Sequence, residues 1–106
     1  MRGEESDIIK NMKGDGGRSK FYTLEKIIKG ASNHRRVEIL YLLKEKPNLS
    51  VFDISEKLKC NFKTISEHTR RLVQSGLISK YSDGSSVRHE ITLLGENVLK
   101  FLRTLE

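Results

Sequence analysis

The chain has 106 residues, with 20 Lys and Arg against 14 Asp and Glu and a formal net charge of +6. That length supports one domain with one modest core, which argues against a two-domain enzyme, and the basic surface attracts a polyanion such as nucleic acid. The longest apolar stretches, such as that around Ile39 to Leu43, fall far short of the roughly 20 residues that cross a bilayer, so no membrane partner is expected. The amino terminus, MRGEESDIIKNMKGDGGRSK, has acidic residues where a secretory signal is basic and lacks an apolar segment of sufficient length. Cys60 is the sole cysteine and cannot form an intramolecular disulfide, which fits a reducing compartment. The expected location is cytoplasmic, and for a DNA binder nucleoid-associated.

Residues 1–20 mix charge with Gly14, Gly16 and Gly17 and offer little apolar material beyond Ile8, Ile9 and Met12. They read as a flexible arm with at most one helical turn around Asp7 to Lys13, leaving 21–106 as the folded domain. From Phe21, the residues Leu24, Ile27, Ile28 and Ala31 fall on one face of a short first helix that Gly30 weakens at its end. Asn33 is suited to cap the next, whose Val37, Ile39, Leu40, Leu42 and Leu43 cover enough of the circumference for a central buried helix. Pro47 and Asn48 stop it.

Ser50 with Asp53 three residues on is close to a capping box, and Val51, Ile54 and Leu58 form the inward stripe of a third helix. Asn61 caps a fourth. In it Ile65, Thr69, Leu72 and Val73 follow the helical period, while Lys63, Ser66, Glu67, Arg70 and Gln74 share the opposite side. Gly76 suits the left-handed position past a helix end, and Leu77 and Ile78 open a strand running through Tyr81. Asp83-Gly84 is a hairpin signal, and Val87, His89 and Ile91 alternate on the return strand. Thr92 caps a last helix with Leu94, Val98, Phe101, Leu102 and Leu105 in one stripe. The predicted class is mainly α (α+β): a winged helix-turn-helix of five helices and a two-stranded β-hairpin wing.

A helix that reads DNA presents several hydrogen-bonding side chains on one face while its back is anchored. Lys63, Thr64, Ser66, Glu67 and Arg70 meet that requirement, since Lys or Arg can read guanine and Glu can accept from the cytosine amino group. The competing reading is a solvated face in which Lys63 and Glu67 form an i,i+4 ion pair. The turn, the preceding helix and the hairpin weigh against it. A wing reaches phosphates or the minor groove with basic side chains, and Lys80 and Arg88 flank this hairpin tip; the competing reading is a hairpin whose charges serve solubility.

The stretches ASNHRRVEIL, LSVFDISEKLKCNFKTISEHTRRLVQSGLI and SDGSSVRHEIT, with the spacing TIS-x-H-x-x-x-L, resemble the ArsR-type winged-helix repressors from about Leu24 to Leu105. The resemblance implies a homodimer whose first and last helices pair across a two-fold axis, with the fourth helix entering the major groove. It implies that Asn61 to Arg70 read DNA and that Arg36 contacts the DNA backbone. Dimerisation then falls to Leu24, Ile28, Val98, Phe101, Leu102 and Leu105, or, if Val98 packs on its own domain, to the outer members of the last stripe. An inverted-repeat operator follows.

The chain also departs from the family. Metal-sensing members carry two cysteines flanking a valine at the start of the third helix, where Ser50, Val51 and Phe52 stand here. The last helix has no histidine. No metal or other cofactor is therefore expected. Lys59 occupies a turn position where glycine is commoner, and Cys60 reads as a small packing residue. His34, His68 and His89 have no ligand spacing, and His68 reads as a semi-buried hydrogen-bonding residue that steadies the fourth helix. No nucleophile elbow, phosphate-binding glycine loop or zinc-hydrolase helix occurs, so no enzyme activity is expected. The expected function is a sequence-specific duplex-DNA-binding regulator, read as a repressor. The alternatives are a winged-helix module that binds another protein and a single-strand or RNA binder, for which only Tyr81 offers a stacking aromatic.

Overall fold

The computed structural model describes residues 19–106, so the expected arm and its helical turn at Asp7 to Lys13 lie outside the described residues. Five helices and one hairpin follow in order: α1 Lys20–Ala31, α2 His34–Glu45, α3 Val51–Leu58, α4 Phe62–Gln74, β1 Ile78–Asp83, β2 Ser86–Ile91 and α5 Leu93–Arg103. This is the winged helix-turn-helix architecture. None of the described helices is long and apolar enough to cross a membrane.

Each helix starts where a side-chain oxygen can satisfy amides that have no partner within the helix. Asn33 Oδ1 accepts from the Arg35 and Arg36 amides at 2.8 and 3.3 Å. Ser50 and Asp53 close a reciprocal capping box, each side chain accepting from the other's amide at 3.1 Å. Asn61 Oδ1 accepts from Lys63 and Thr64, and Thr92 Oγ1 from Gly95. The turn between α3 and α4 runs through Lys59 at φ +53, a left-handed backbone that a side chain disfavours. The position that suits glycine thus keeps its geometry and carries strain.

The core gathers Ile39, Leu40 and Leu43 of α2, Ile54 of α3, Ile65 and Leu72 of α4, and Leu77 and Ile78 at the root of the wing. Cys60 is half-buried at its edge. Leu99 is buried on α5, and Val98 and Leu94 pack against the core, so Val98 faces its own domain. Gly30 does more than weaken a helix end. It is buried, and a Cβ there would lie 2.3 Å from Ser75 Oγ, so α1 passes directly over the end of α4. Gly95 is tighter still, because a Cβ would stand 2.1 Å from the Leu77 carbonyl oxygen.

The strands pair antiparallel, with Ile78 opposite Ile91 and Asp83 opposite Ser86, around a two-residue turn whose Gly84 has φ +66. The wing is tied back to the link between α2 and α3. Asn48 N–H donates to the His89 carbonyl and His89 N–H to the Leu49 carbonyl, both at 2.9 Å. The buried His89 ring adds a third bond, Nδ1 to the same Leu49 oxygen at 3.0 Å. His89 is therefore a structural anchor. On the far side, Lys44 pairs with Glu96 at 3.3 Å, the Tyr41 hydroxyl donates to Glu106, and the Arg103 guanidinium lies 5.4 Å from the centre of the Tyr41 ring. These contacts fix one side of α5 to α2. Phe101 and Leu105 remain exposed, as do Leu24 and Ile28 on α1.

Candidate nucleic-acid interface

The polarity of α4 is divided by its period. Ile65, Thr69 and Leu72 are buried, and Thr69 returns its hydroxyl to the Ser66 carbonyl at 2.9 Å. Lys63, Thr64, Glu67 and Arg70 are exposed and Ser66 is half-exposed, on a helix whose back is locked into the core. The amide bonds to Asn61 fix its first turn, so the side chains that project there start from a defined backbone.

Electrostatically, the face lacks the Lys63–Glu67 pair of the competing reading. Glu67 pairs with Arg70 at 2.5 Å and Arg71 at 3.0 Å rather than with Lys63. Hydrogen bonds from Arg70, then Arg71, hold the Glu67 carboxyl below the usual glutamate range. Lys63 and Lys80 are exposed and take part in none of the ion pairs among the described residues. His68 is half-buried, its pKa lowered chiefly by burial and next by the Arg36 charge. No hydrogen bond to its ring occurs among the described residues, so packing rather than a polar contact holds it.

Strand alternation separates the two wing cations. Lys80 stands opposite His89, and cross-strand partners share a face. That face looks toward α4, and Lys80 lines an open cleft of about 410 Å³ with Ser66, Arg70, Gln74 and Val87. Arg88 stands opposite Tyr81 on the other face. Its guanidinium reaches Asp53 at 3.1 Å, the Asn48 carbonyl at 3.3 Å and Asp83 at 3.9 Å, while the Tyr81 hydroxyl donates to Asn48 Oδ1. Arg88, expected as a basic wing contact, thus has its guanidinium engaged in joining the wing to α3 in the free protein. Arg36 lies elsewhere, in a cleft between α1 and α4 lined also by Tyr22, Lys26, Arg71 and Ser75. Phe62, which the sequence reading passed over, opens α4 and is 54% exposed. Its period aligns it with the buried Thr69, but the core that covers Thr69 does not reach it; an apolar residue directly behind the N-cap Asn61 was the available signal.

A buried-backed helix with a polar outer face, a preceding helix and a hairpin whose cation shares its cleft together define a winged helix-turn-helix domain. Residues 33–80 match the family model described as bacterial regulatory protein, arsR family. Solved structures share the fold. HlyU from Vibrio cholerae aligns with a TM-score of 0.71 at 23% identity, covering 81% of this chain and 90% of that one. The homodimeric winged helix-turn-helix DNA-binding domain from Mycobacterium bovis aligns at 0.69 and 22% identity, covering 98% and 86%. The transcriptional repressor PagR of Bacillus anthracis aligns at 0.71 and 20% identity, covering 78% and 95%. No curated protein matches the sequence. Among the described residues no three His, Cys, Asp or Glu side chains gather as a metal site.

Proposed function

We propose that the chain is a homodimeric, sequence-specific duplex-DNA-binding transcriptional regulator acting as a repressor. In this reading α4 enters the major groove, Lys63, Thr64, Ser66, Glu67 and Arg70 face base edges, and Lys80 meets a phosphate beside the same groove. The observation that carries it is the shared cleft of Arg70, Ser66 and Lys80, because a reading helix and a backbone-contacting wing must approach one duplex together. Arg36 is assigned to the DNA backbone by its family position, and Arg88 contributes by holding the wing against α3. The second subunit packs on Leu24, Ile28, Phe101, Leu102 and Leu105, and the operator is an inverted repeat with half-sites about one helical turn apart. The homodimeric Mycobacterium domain and the repressor PagR support this reading by their shared fold.

The test is binding of the purified chain to inverted-repeat duplexes over a salt series. A logarithmic affinity that falls with a slope set by several phosphate contacts, about 0.9 per contact, is expected. Salt-independent binding, or binding to a protein with no affinity for duplex DNA, would contradict it and favour an interaction module.

A further inference from the structure

Phe62 exposes more than half of its ring at the first position of α4. The exposed part of the phenyl ring gains no burial from its own chain. Its backbone sits at a capped helix end, with the next two amides bonded to Asn61. It lines an open cleft of about 580 Å³ with Lys63, Thr64, Ser66, Glu67 and His68, the side on which the proposed base contacts stand. Phe52 is 59% exposed, but it lies on α3, the helix that crosses the backbone in this motif rather than entering the groove.

The first residues of a recognition helix come nearest the base edges. A phenyl ring has no donor or acceptor to use there, and the one prominent apolar group on a major-groove edge is the thymine C5 methyl. The geometry points to Phe62 as a specificity-determining residue that packs on a thymine methyl in each half-site. This assignment rests on the reading of α4 as the DNA-reading helix. Lys63, exposed beside it in the same cleft, adds positive charge that draws the duplex toward the ring.

The experiment takes the duplex recovered by the full chain from a random pool and replaces each thymine of one half-site, in turn, by deoxyuridine. That change removes the methyl and leaves every hydrogen-bonding group of the base. At one position the parent should lose affinity about four-fold, the worth of one methyl withdrawn from water. Phe62→Ala, with helix content and thermal midpoint unchanged because the ring is exposed, should bind the thymine and uracil duplexes alike. Three results overturn the assignment: a parent indifferent to every replacement, a Phe62→Ala variant that keeps the discrimination, or a selected half-site without thymine. Recovery of no duplex contradicts the assignment of α4 itself, a failure distinct from those three.

Discussion

Glu67 holds Arg70 and Arg71 in the free protein, yet this network does not bar Arg70 from DNA. An exposed ion pair contributes about 0–1 kcal/mol, whereas a bidentate contact to guanine discriminates by about 1–3 kcal/mol. The second effect is larger, so Arg70 can exchange one partner for the other. Replacing Arg70 with Ala should therefore relax sequence preference at one operator position by about 1–3 kcal/mol, as read from affinities for single-base variants. Lys80→Ala should instead weaken binding to all sequences and reduce the salt slope by about one. If Lys80→Ala altered preference and left the slope alone, the assignments would be reversed. Asp53 gives a pH test. Ser50 hydrogen bonds, the backbone one foremost, and then the Arg88 charge hold its carboxyl below the usual aspartate value. Because the folded pKa is the lower one, this stabilisation is complete above the ordinary value of about 3.9 and is lost as pH falls through the depressed one. Asp53→Asn should lower the urea midpoint near neutrality, by an amount that shrinks as pH falls below the ordinary aspartate value; a deficit independent of pH would refute the linkage.

At the scale of elements, the two close approaches oppose helix propensity. Alanine is favoured over glycine within a helix by about 1 kcal/mol, but in α5 a Cβ at Gly95 would overlap the Leu77 backbone carbonyl. Backbone cannot move aside as a side-chain tip can, so the overlap outweighs the propensity. Gly95→Ala should destabilise the domain by about 1–3 kcal/mol in chemical denaturation, and a stabilised variant would show that α5 has room to shift. The reverse holds at the turn before α4, where Lys59→Gly should stabilise by about 1 kcal/mol by relieving the left-handed backbone. Local features of this kind were legible in the sequence. The capping bonds of Asn33, Ser50, Asn61 and Thr92 reach no more than three residues, and the stripe of Ile65, Thr69 and Leu72 declares its period. Contacts between distant segments were not legible. The joining of Arg88 to Asp53 spans 35 positions and that of His89 to Leu49 spans 40, and neither follows from periodicity. The exposure of Phe62 depends equally on where the core ends.

For the whole molecule, the unassigned apolar surface concentrates on α1 and α5. Leu24, Ile28, Phe101 and Leu105 are exposed while the opposite side of α5 is tied to α2 through Glu96, Arg103 and Glu106. A second subunit placed there would bury this surface and set two α4 helices on successive grooves. Leu105→Asp, at a position 66% exposed and so harmless to the fold, should yield a monomer in sedimentation; an unchanged oligomeric state would rule out this seam. The most direct measurement of the central claim is selection from a random duplex pool by the purified full chain at near-physiological salt. Enrichment of one inverted repeat, with half-sites about one DNA turn apart and binding weakened by salt, is the predicted result. A pool that stays random after repeated rounds, or one that yields only single-stranded sequences, would contradict it.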